Sequence, residues 1–235
     1  MTQPPVTAVI LDMDGLLIDT EPIWRAATFS VLAALGVRLS DDDLLSTTGQ
    51  PIGDLIPLWR QRAGPKDQRA QRSDAEIADL ITDQVVAHVI AEGQPMPGVA
   101  RAVELCTRLG LSLAIASSSP LLLIDAVCDR LGLGGIQVRC SAADEANGKP
   151  APDVYLAAAR RLGVTPASCV AIEDSPNGIA AAKAASMTCV AVPDPLLKTD
   201  PGYRQADLIL PSLAMLDERA LRLLGVRAPD PRRVP

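Results

Sequence analysis

The stretch "AVILDMDGLLIDTEP", residues 8–22, decides how the chain is organised. Four apolar residues lead directly into Asp12 and Asp14, and Asp19 follows five residues later. A short, continuous apolar run is typical of a strand buried on both faces of a parallel sheet. Because side chains two residues apart in a strand point to the same side, Asp12 and Asp14 are predicted to face one crevice. Two carboxylates so close together need a cation or a shared proton.

Apolar runs of the same kind recur along the chain, and helical patterns separate them. The predicted strands cover residues 7–12, 111–117, 136–140, 169–174, 188–193 and 206–210. The helical patterns that directly precede the second strand or separate the later strands cover residues 98–110, 120–132, 153–163 and 177–186. Alternation of strands and helices predicts an α/β protein with a parallel sheet and right-handed crossovers.

The long interval between the first predicted strand and residue 98 contains only helical patterns, at residues 22–36, 40–48, 52–64 and 73–93. Ser40 and Ser73 are the predicted N-caps of the second and fourth helices. The sequence therefore predicts a helical domain, residues 21–93, inserted into a core formed by residues 1–20 and 94–235. The Pro-rich tail, residues 227–235, is predicted to be disordered.

Composition excludes several classes of partner. The 235-residue chain has a net charge of −6, which argues against a nucleic-acid backbone or an anionic membrane as the main partner. Its five cysteines form no CxxC pair, and their odd number predicts buried, reduced thiols rather than disulfides or zinc ligands. Neither a signal-peptide pattern nor an apolar run of about 18 residues occurs, so we expect a cytoplasmic protein.

A second pair of acids follows another apolar run. The stretch "CVAIEDSPNG" ends its predicted strand in Glu173 and Asp174. An Asp-Gly turn alone would explain Asp14, but it would not explain Asp12 at the end of an apolar strand. If the two strands are neighbours, four carboxylates converge at one edge of the sheet. Such an oxygen-only cluster suits a hard cation, Mg²⁺ in particular.

Two further strand ends offer groups that bind anions. "LAIASSSP" ends in Ser117, Ser118 and Ser119 just before a predicted helix, and hydroxyl and N–H groups in that position bind anions, although an ordinary helix cap has the same pattern. "ANGKPAP" holds Lys149, whose ammonium group could neutralise phosphate oxygens or be a solvated surface group. It is not a P-loop, because no Ser or Thr follows the lysine.

The four motifs, in this order, resemble those of the haloacid dehalogenase superfamily. The matching pieces are Asp12-Met-Asp14-Gly15 with Asp19-Thr20, then Ser117, then Lys149-Pro150, then Glu173-Asp174-Ser175. The resemblance spans about residues 7–193. It implies a Rossmann-like parallel-sheet core, with the helical insertion as the C1 cap of the β-phosphoglucomutase-like group. Within that group, "DMDGLLIDTEPIW" and "EDSPNG" look most like the sugar- and hexitol-phosphate phosphatases, including 2-deoxyglucose-6-phosphatase.

The resemblance also implies roles for single residues. Asp12 would be the nucleophile that forms an aspartyl-phosphate, and Asp14 would protonate the leaving alkoxide and then deprotonate the attacking water. Ligands of Mg²⁺ would come from Asp12, the Asp14 carbonyl, Glu173 and Asp174. The groups that bind the phosphoryl oxygens would be Ser117, Ser118, Lys149 and the backbone of Gly15. A monomeric enzyme with a small phosphorylated substrate is implied, and Asp19 is left outside the catalytic set.

The nearest alternative is a mutase of the β-phosphoglucomutase type, which shares the whole core but needs cationic cap residues for a second phosphate. Here "EPIW" and "GQPIG" stand at the corresponding positions, and this favours hydrolysis. Trp24, Gln50 and Ile52 are expected near the specificity-determining part of the cap, whereas Trp59 and His88 are interpreted as packing or surface residues. A non-catalytic phosphate-binding protein or a dehalogenase is less favoured, because every catalytic position is filled.

Overall fold

A computed structural model of the chain describes residues 4–37, 39, 40, 43, 52–63, 72–195 and 197–227. Among these residues, no helix is both long enough and apolar enough to cross a membrane. The predicted helix at 40–48 and Gln50 lie mostly or wholly outside the described residues, as does the tail from residue 228 onwards. Ser40 and Asp43, which are described, exchange backbone and side-chain hydrogen bonds.

The core is a six-stranded sheet in which every recorded pairing is parallel. Its strands are β1 (Ala8–Leu11), β2 (Ser112–Ser117), β3 (Val138–Ser141), β4 (Cys169–Glu173), β5 (Thr188–Ala191) and β6 (Leu208–Ile209). Their order across the sheet is β3-β2-β1-β4-β5-β6. All six strands predicted from the sequence are confirmed, with small differences in their ends.

Apolar burial explains why these segments form the sheet. All four residues of β1 and of β5, and all five of β4, are buried, as expected for strands covered on both faces. Alanines on two helices face the sheet and allow close packing, among them Ala158 and Ala182. The helices of this part of the chain are α4 (Val99–Arg108), α5 (Leu121–Arg130), α6 (Asp153–Leu162), α7 (Pro176–Ala184) and α8 (Glu218–Leu223).

A separate group of helices precedes α4. Contacts divide the chain into two compact units, one formed by residues 1–18 with 95–235 and the other by residues 19–94. The described helices of the second unit are α1 (Glu21–Ala34), α2 (Ile52–Ala63) and α3 (Asp74–Glu92). Ser73 caps α3 as predicted, because its hydroxyl accepts the N–H of Glu76 while the Glu76 carboxylate accepts the N–H of Ser73. Trp59 is buried, which fits a packing residue.

The strand order determines where the acidic residues and serines at the strand ends lie. From β1 the chain crosses to β2 and β3 on one side, and it later returns to β4 on the other side of β1. This reversal of direction is the position where open α/β sheets bind ligands, outside the carboxyl ends of the strands. The acidic residues that follow β1 and β4, and the serines that end β2, therefore meet at a single edge. All five cysteines are free and buried elsewhere in the fold, as predicted.

Candidate active site

Asp12 is the first residue after β1, and its backbone is tied to the neighbouring strand. Its N–H donates to the carbonyl of Ile172 at 2.9 Å, which extends the pairing of β1 with β4 by one residue. The side chain is only 7% exposed. The turn that follows depends on Gly15, which has φ +77° and lies so near Asp174 that a Cβ atom would be 2.0 Å from Oδ2. Any side chain at position 15 would displace the Asp174 carboxylate.

Lys149 holds two of the carboxylates together. Its Nζ lies 2.6 Å from Asp12 Oδ1 and 2.6 Å from Glu173 Oε1, and it also donates to the carbonyl of Ala116 at 3.1 Å. Because an ammonium group has three hydrogens, these three acceptors can account for all of them. The lysine side chain is 6% exposed, so a surface role for Lys149 is wrong.

Glu173 is completely buried and has further partners. The hydroxyl of Tyr155 donates to Oε1 at 2.5 Å, and the hydroxyl of Ser175 donates to Oε2 at 3.2 Å. Gly178, in the first turn of α7, leaves room for this carboxylate, since a Cβ atom there would lie 1.9 Å from it. The side chain of Glu173 is thus held in one orientation by groups from two helices.

The carboxylates of this cluster change one another's protonation. Burial raises the pKa of Asp12 to about 8, and the negative charge of Glu173 adds to the shift while Lys149 opposes it. Burial, followed by the charge of Asp12, also raises the pKa of Asp174 well above its ordinary value. For Lys149, burial favours the neutral amine, but Asp12 and Glu173 outweigh it and raise the lysine pKa. Without a further cation, ionisation of all the carboxyl groups of the cluster at once is therefore unfavourable.

These residues fit a hard divalent cation. Asp12, Glu173 and Asp174 each offer a carboxylate oxygen, and the three oxygens lie within 4.8 Å of one another. All the donors are oxygen atoms, the donor type that Mg²⁺ prefers. The Lys149 ammonium pairs with only two of the three carboxylates, so a divalent cation would offset the burial and the mutual repulsion that raise the carboxyl pKa values.

Asp14 has a different environment, built from hydroxyl groups. Its Oδ2 accepts hydrogen bonds from Ser117 Oγ at 2.9 Å and from Ser119 Oγ at 2.8 Å. The N–H of Ser119 donates to Ser117 Oγ at 3.0 Å, and Ser141, at the end of β3, donates its hydroxyl to the carbonyl of Ser119 at 2.8 Å. The carboxyl group of Asp14 is half-buried at this side of the site.

The structure brings most of the predicted site residues to this edge. They are Asp12, Asp14, Gly15, Ser117, Lys149, Glu173 and Asp174. Ser118 is exposed, and it is the next serine that reaches Asp14. Asp19 is exposed, in keeping with its exclusion from the catalytic set. The lone histidine, His88, is exposed on α3 with Nδ1 near the carbonyl of Gln84.

Three residues that sequence reasoning missed also contact the site. Tyr155 bonds Glu173, Ser141 fixes Ser119, and the hydroxyl of Tyr203 donates to the backbone carbonyl of Asp174. A signal for Tyr155 was present, because it is the one polar side chain among the buried residues of α6. The other two offered no comparable pattern.

Comparison with known proteins identifies the family. The model for haloacid dehalogenase-like hydrolases matches residues 6–186, more than three quarters of the chain. The chain belongs to this hydrolase family. The resemblance carried by the four strand-end motifs is thereby confirmed, and so are the parallel α/β fold and the prediction of an enzyme.

Individual members of the family are similar over nearly the whole chain. Hexitol phosphatase B of Escherichia coli is 39% identical over 226 residues, which cover 94% of this chain and 98% of that protein. A variant of CbbY from Rhodobacter sphaeroides, solved in complex with xylulose-(1,5)bisphosphate, is 32% identical, with a TM-score of 0.80 and coverage of 92% and 99%. β-Phosphoglucomutase of Clostridium difficile shares the fold at 22% identity, with a TM-score of 0.78 and coverage of 94% and 97%.

Proposed function

We propose that this hydrolase is a Mg²⁺-dependent phosphatase that cleaves small sugar or polyol phosphates through an aspartyl-phosphate on Asp12. The observation that carries the proposal is the buried cluster in which Lys149 bridges Asp12 and Glu173 beside Asp174. Such a cluster pairs a nucleophilic carboxylate with groups suited to a cation and to phosphoryl oxygens. Hexitol phosphatase B and the CbbY complex with a pentulose bisphosphate support phosphate esters of small polyhydroxy compounds as the substrate class.

In the first step a carboxylate oxygen of Asp12 forms a bond to phosphorus, and the bond between phosphorus and the ester oxygen breaks. The electron pair of the broken bond stays on the leaving oxygen, to which Asp14 gives a proton. In the second step a water oxygen attacks phosphorus and Asp14 takes a proton from that water. The bond to Asp12 breaks, which regenerates the carboxylate and yields inorganic phosphate.

The remaining groups lower the cost of bringing an anionic substrate to an anionic nucleophile. Lys149 neutralises negative charge beside Asp12, and Ser118 and the backbone of Gly15 would donate hydrogen bonds to the phosphoryl oxygens. The Ser117 hydroxyl would join them by turning its one hydrogen from Asp14 toward the phosphoryl group. One donor of this kind is typically worth about 3 kcal/mol of the barrier. Mg²⁺ would be held by Asp12, the Asp14 carbonyl, Glu173 and Asp174, and when bound it supplies positive charge that orients the phosphoryl group.

We assign the choice of substrate to the helical unit, residues 19–94, in the role of a cap domain. In this unit Trp24 is half-buried on α1, in the stretch "EPIW" that corresponds to the part of the mutases where a histidine follows the Asp-Thr motif. The five free, buried cysteines suit a reducing compartment, and we place the enzyme in the cytoplasm. We propose that it acts as a monomer.

The experiment is a phosphate-release screen over hexose, hexitol, pentose and pentulose phosphates, with xylulose 1,5-bisphosphate included. We expect Mg²⁺-dependent release from at least one of them, loss of release in EDTA and recovery when Mg²⁺ is restored. No release from any of these esters, or release that EDTA leaves unchanged, would contradict the proposal. Formation of glucose 6-phosphate from β-glucose 1-phosphate without free phosphate would favour a mutase instead.

A further inference from the structure

All three polar groups of Ser119 form hydrogen bonds, either with Asp14 itself or with a serine close to it. Its hydroxyl lies 2.8 Å from Asp14 Oδ2, and its N–H donates to the hydroxyl oxygen of Ser117. Its carbonyl accepts the hydroxyl of Ser141 at 2.8 Å. Ser119 is only 7% exposed, so solvent does not compete effectively for these hydrogen bonds.

The arrangement also directs the hydrogen of the neighbouring serine. Because Ser117 Oγ accepts the N–H of Ser119, its own hydrogen is donated to Asp14 Oδ2 at 2.9 Å. Two hydroxyls from one loop therefore meet a single carboxylate oxygen. Two donors on one oxygen restrict rotation of the carboxyl plane, and a proton donor must be held in a narrow orientation to act efficiently.

We propose that Ser119 is a positioning residue for Asp14, setting the orientation in which Asp14 gives a proton to the leaving group. The inference rests on the proposed function, since it assigns Asp14 the acid role in phosphate ester cleavage. It distinguishes Ser119 from Ser118, the exposed serine beside it. The anchor for the positioning is Ser141 on β3, which fixes the backbone of Ser119 to the rigid sheet.

A loss of orientation at Asp14 has a specific chemical signature. A phenolate leaving group is strongly basic and needs the proton as the ester bond breaks, whereas 4-nitrophenolate is weakly basic and leaves without one. Phenyl phosphate and 4-nitrophenyl phosphate have nearly the same shape, so a change in binding alone affects both. Only weakened proton transfer changes the ratio of their kcat/KM values.

The test compares these two esters in the wild-type enzyme and in Ser119→Ala. We expect kcat/KM for phenyl phosphate to fall about tenfold, a part of the roughly 10²–10⁴-fold that general acid catalysis contributes. For 4-nitrophenyl phosphate we expect a change within about twofold. Equal losses for the two esters, or no loss for phenyl phosphate, would overturn the assignment. Ser119→Cys, close in size but a weaker donor, provides a second variant with the same expected direction if the alanine variant fails to fold.

Ser168→Ala is the matched control. It removes a hydroxyl that is hydrogen-bonded to Thr165 just before β4, at the opposite edge of the sheet. The ratio of the two esters should be unchanged in this variant. A wild-type enzyme that cleaves neither the aryl esters nor any sugar or polyol phosphate would contradict the proposed function itself. Normal wild-type cleavage with an unchanged ratio in Ser119→Ala would contradict only the positioning role.

Discussion

The two halves of the site use the same side chain in opposite surroundings. In the charged half, Asp12 is buried against the Lys149 ammonium and the carboxylates of Glu173 and Asp174. In the hydroxyl half, Asp14 is half-buried and held by uncharged donors from the end of β2. Only Met13 lies between them in the chain. The comparison teaches that environment, rather than residue type, distinguishes two neighbouring aspartates, and the proposed roles of nucleophile and proton carrier follow this difference.

The largest expected effect comes from changing the charged half at its centre. Asp12→Asn keeps the size of the side chain but removes the nucleophile, so turnover of the best substrate should fall at least about a thousandfold. Burial and neighbouring charge already disfavour the ionised form of Asp12, so the melting temperature without Mg²⁺ should not fall. Steady-state kinetics measure the turnover and a thermal melt measures the stability. Activity within tenfold of wild type would refute the assignment of Asp12 as the nucleophile.

Removal of the Lys149 ammonium group tests what holds the charged half together. Lys149→Met leaves three buried carboxylates without their partner, and breaking a buried ion pair in this way typically costs about 3–5 kcal/mol. Urea unfolding without Mg²⁺ should show a loss of that size, and added Mg²⁺ should recover part of it. Lys183→Met is the control, because its pair with Asp207 is exposed and worth at most about 1 kcal/mol. Equal losses in the two variants would contradict the account.

The charged half should also respond to pH, with a definite sign. Because folding raises the pKa of Asp12 to about 8 and that of Asp174 well above its ordinary value, the folded state binds more protons than the unfolded state above pH 4. Without Mg²⁺, stability should therefore decrease as the pH rises from about 4 through about 8. Mg²⁺ binds the ionised carboxylates, so its stabilising effect should be larger at pH 8 than at pH 6.

Thermal melts at both pH values, with and without Mg²⁺, measure this effect against NaCl of matched ionic strength. For a chain of this length each kcal/mol corresponds to about 2–4 °C. A Mg²⁺ shift that is the same at the two pH values, or larger at pH 6, would show that protons and the cation do not compete for these carboxylates.

The smallest effect is expected in the hydroxyl half. Ser141→Ala removes one buried hydrogen bond between uncharged groups, which should lower the free energy of unfolding by about 1 kcal/mol. Since no charge is involved, the loss should be the same at pH 6 and pH 8 and with or without Mg²⁺. Urea unfolding under the four conditions checks this, and a loss that varies among them would mean that the two halves are electrostatically coupled.

Much of this arrangement could be predicted from the sequence, because the signals are local. Continuous apolar runs predicted all six strands, and acids or serines directly after such runs predicted which strand ends carry chemistry. Parallel strands place their carboxyl ends at one edge, so a correct sheet was enough to bring Asp12 and Asp174 together.

The contacts that depend on tertiary packing could not be predicted in this way. Which of three consecutive serines turn toward Asp14 depends on the geometry of the loop after β2, and no sequence pattern predicted that Ser117 and Ser119 would both donate to its carboxylate. Tyr203 reaches the Asp174 carbonyl from a short segment with no periodicity, and α8 is too short for a periodic pattern. The sequence around Lys149 fits a surface role and a site role equally well, and only the burial of its side chain decides between them.

The central claim, an aspartyl-phosphate on Asp12 whose hydrolysis needs Asp14, is tested most directly by mixing the Asp14→Asn variant with 4-nitrophenyl phosphate. The weakly basic leaving group departs without the acid, but the second step lacks its base. The account predicts a burst of about one 4-nitrophenolate per enzyme, a stall, and a phosphoryl group on the peptide that contains Asp12. Continued turnover at the wild-type rate, or a phosphoryl group on any other residue, would contradict it.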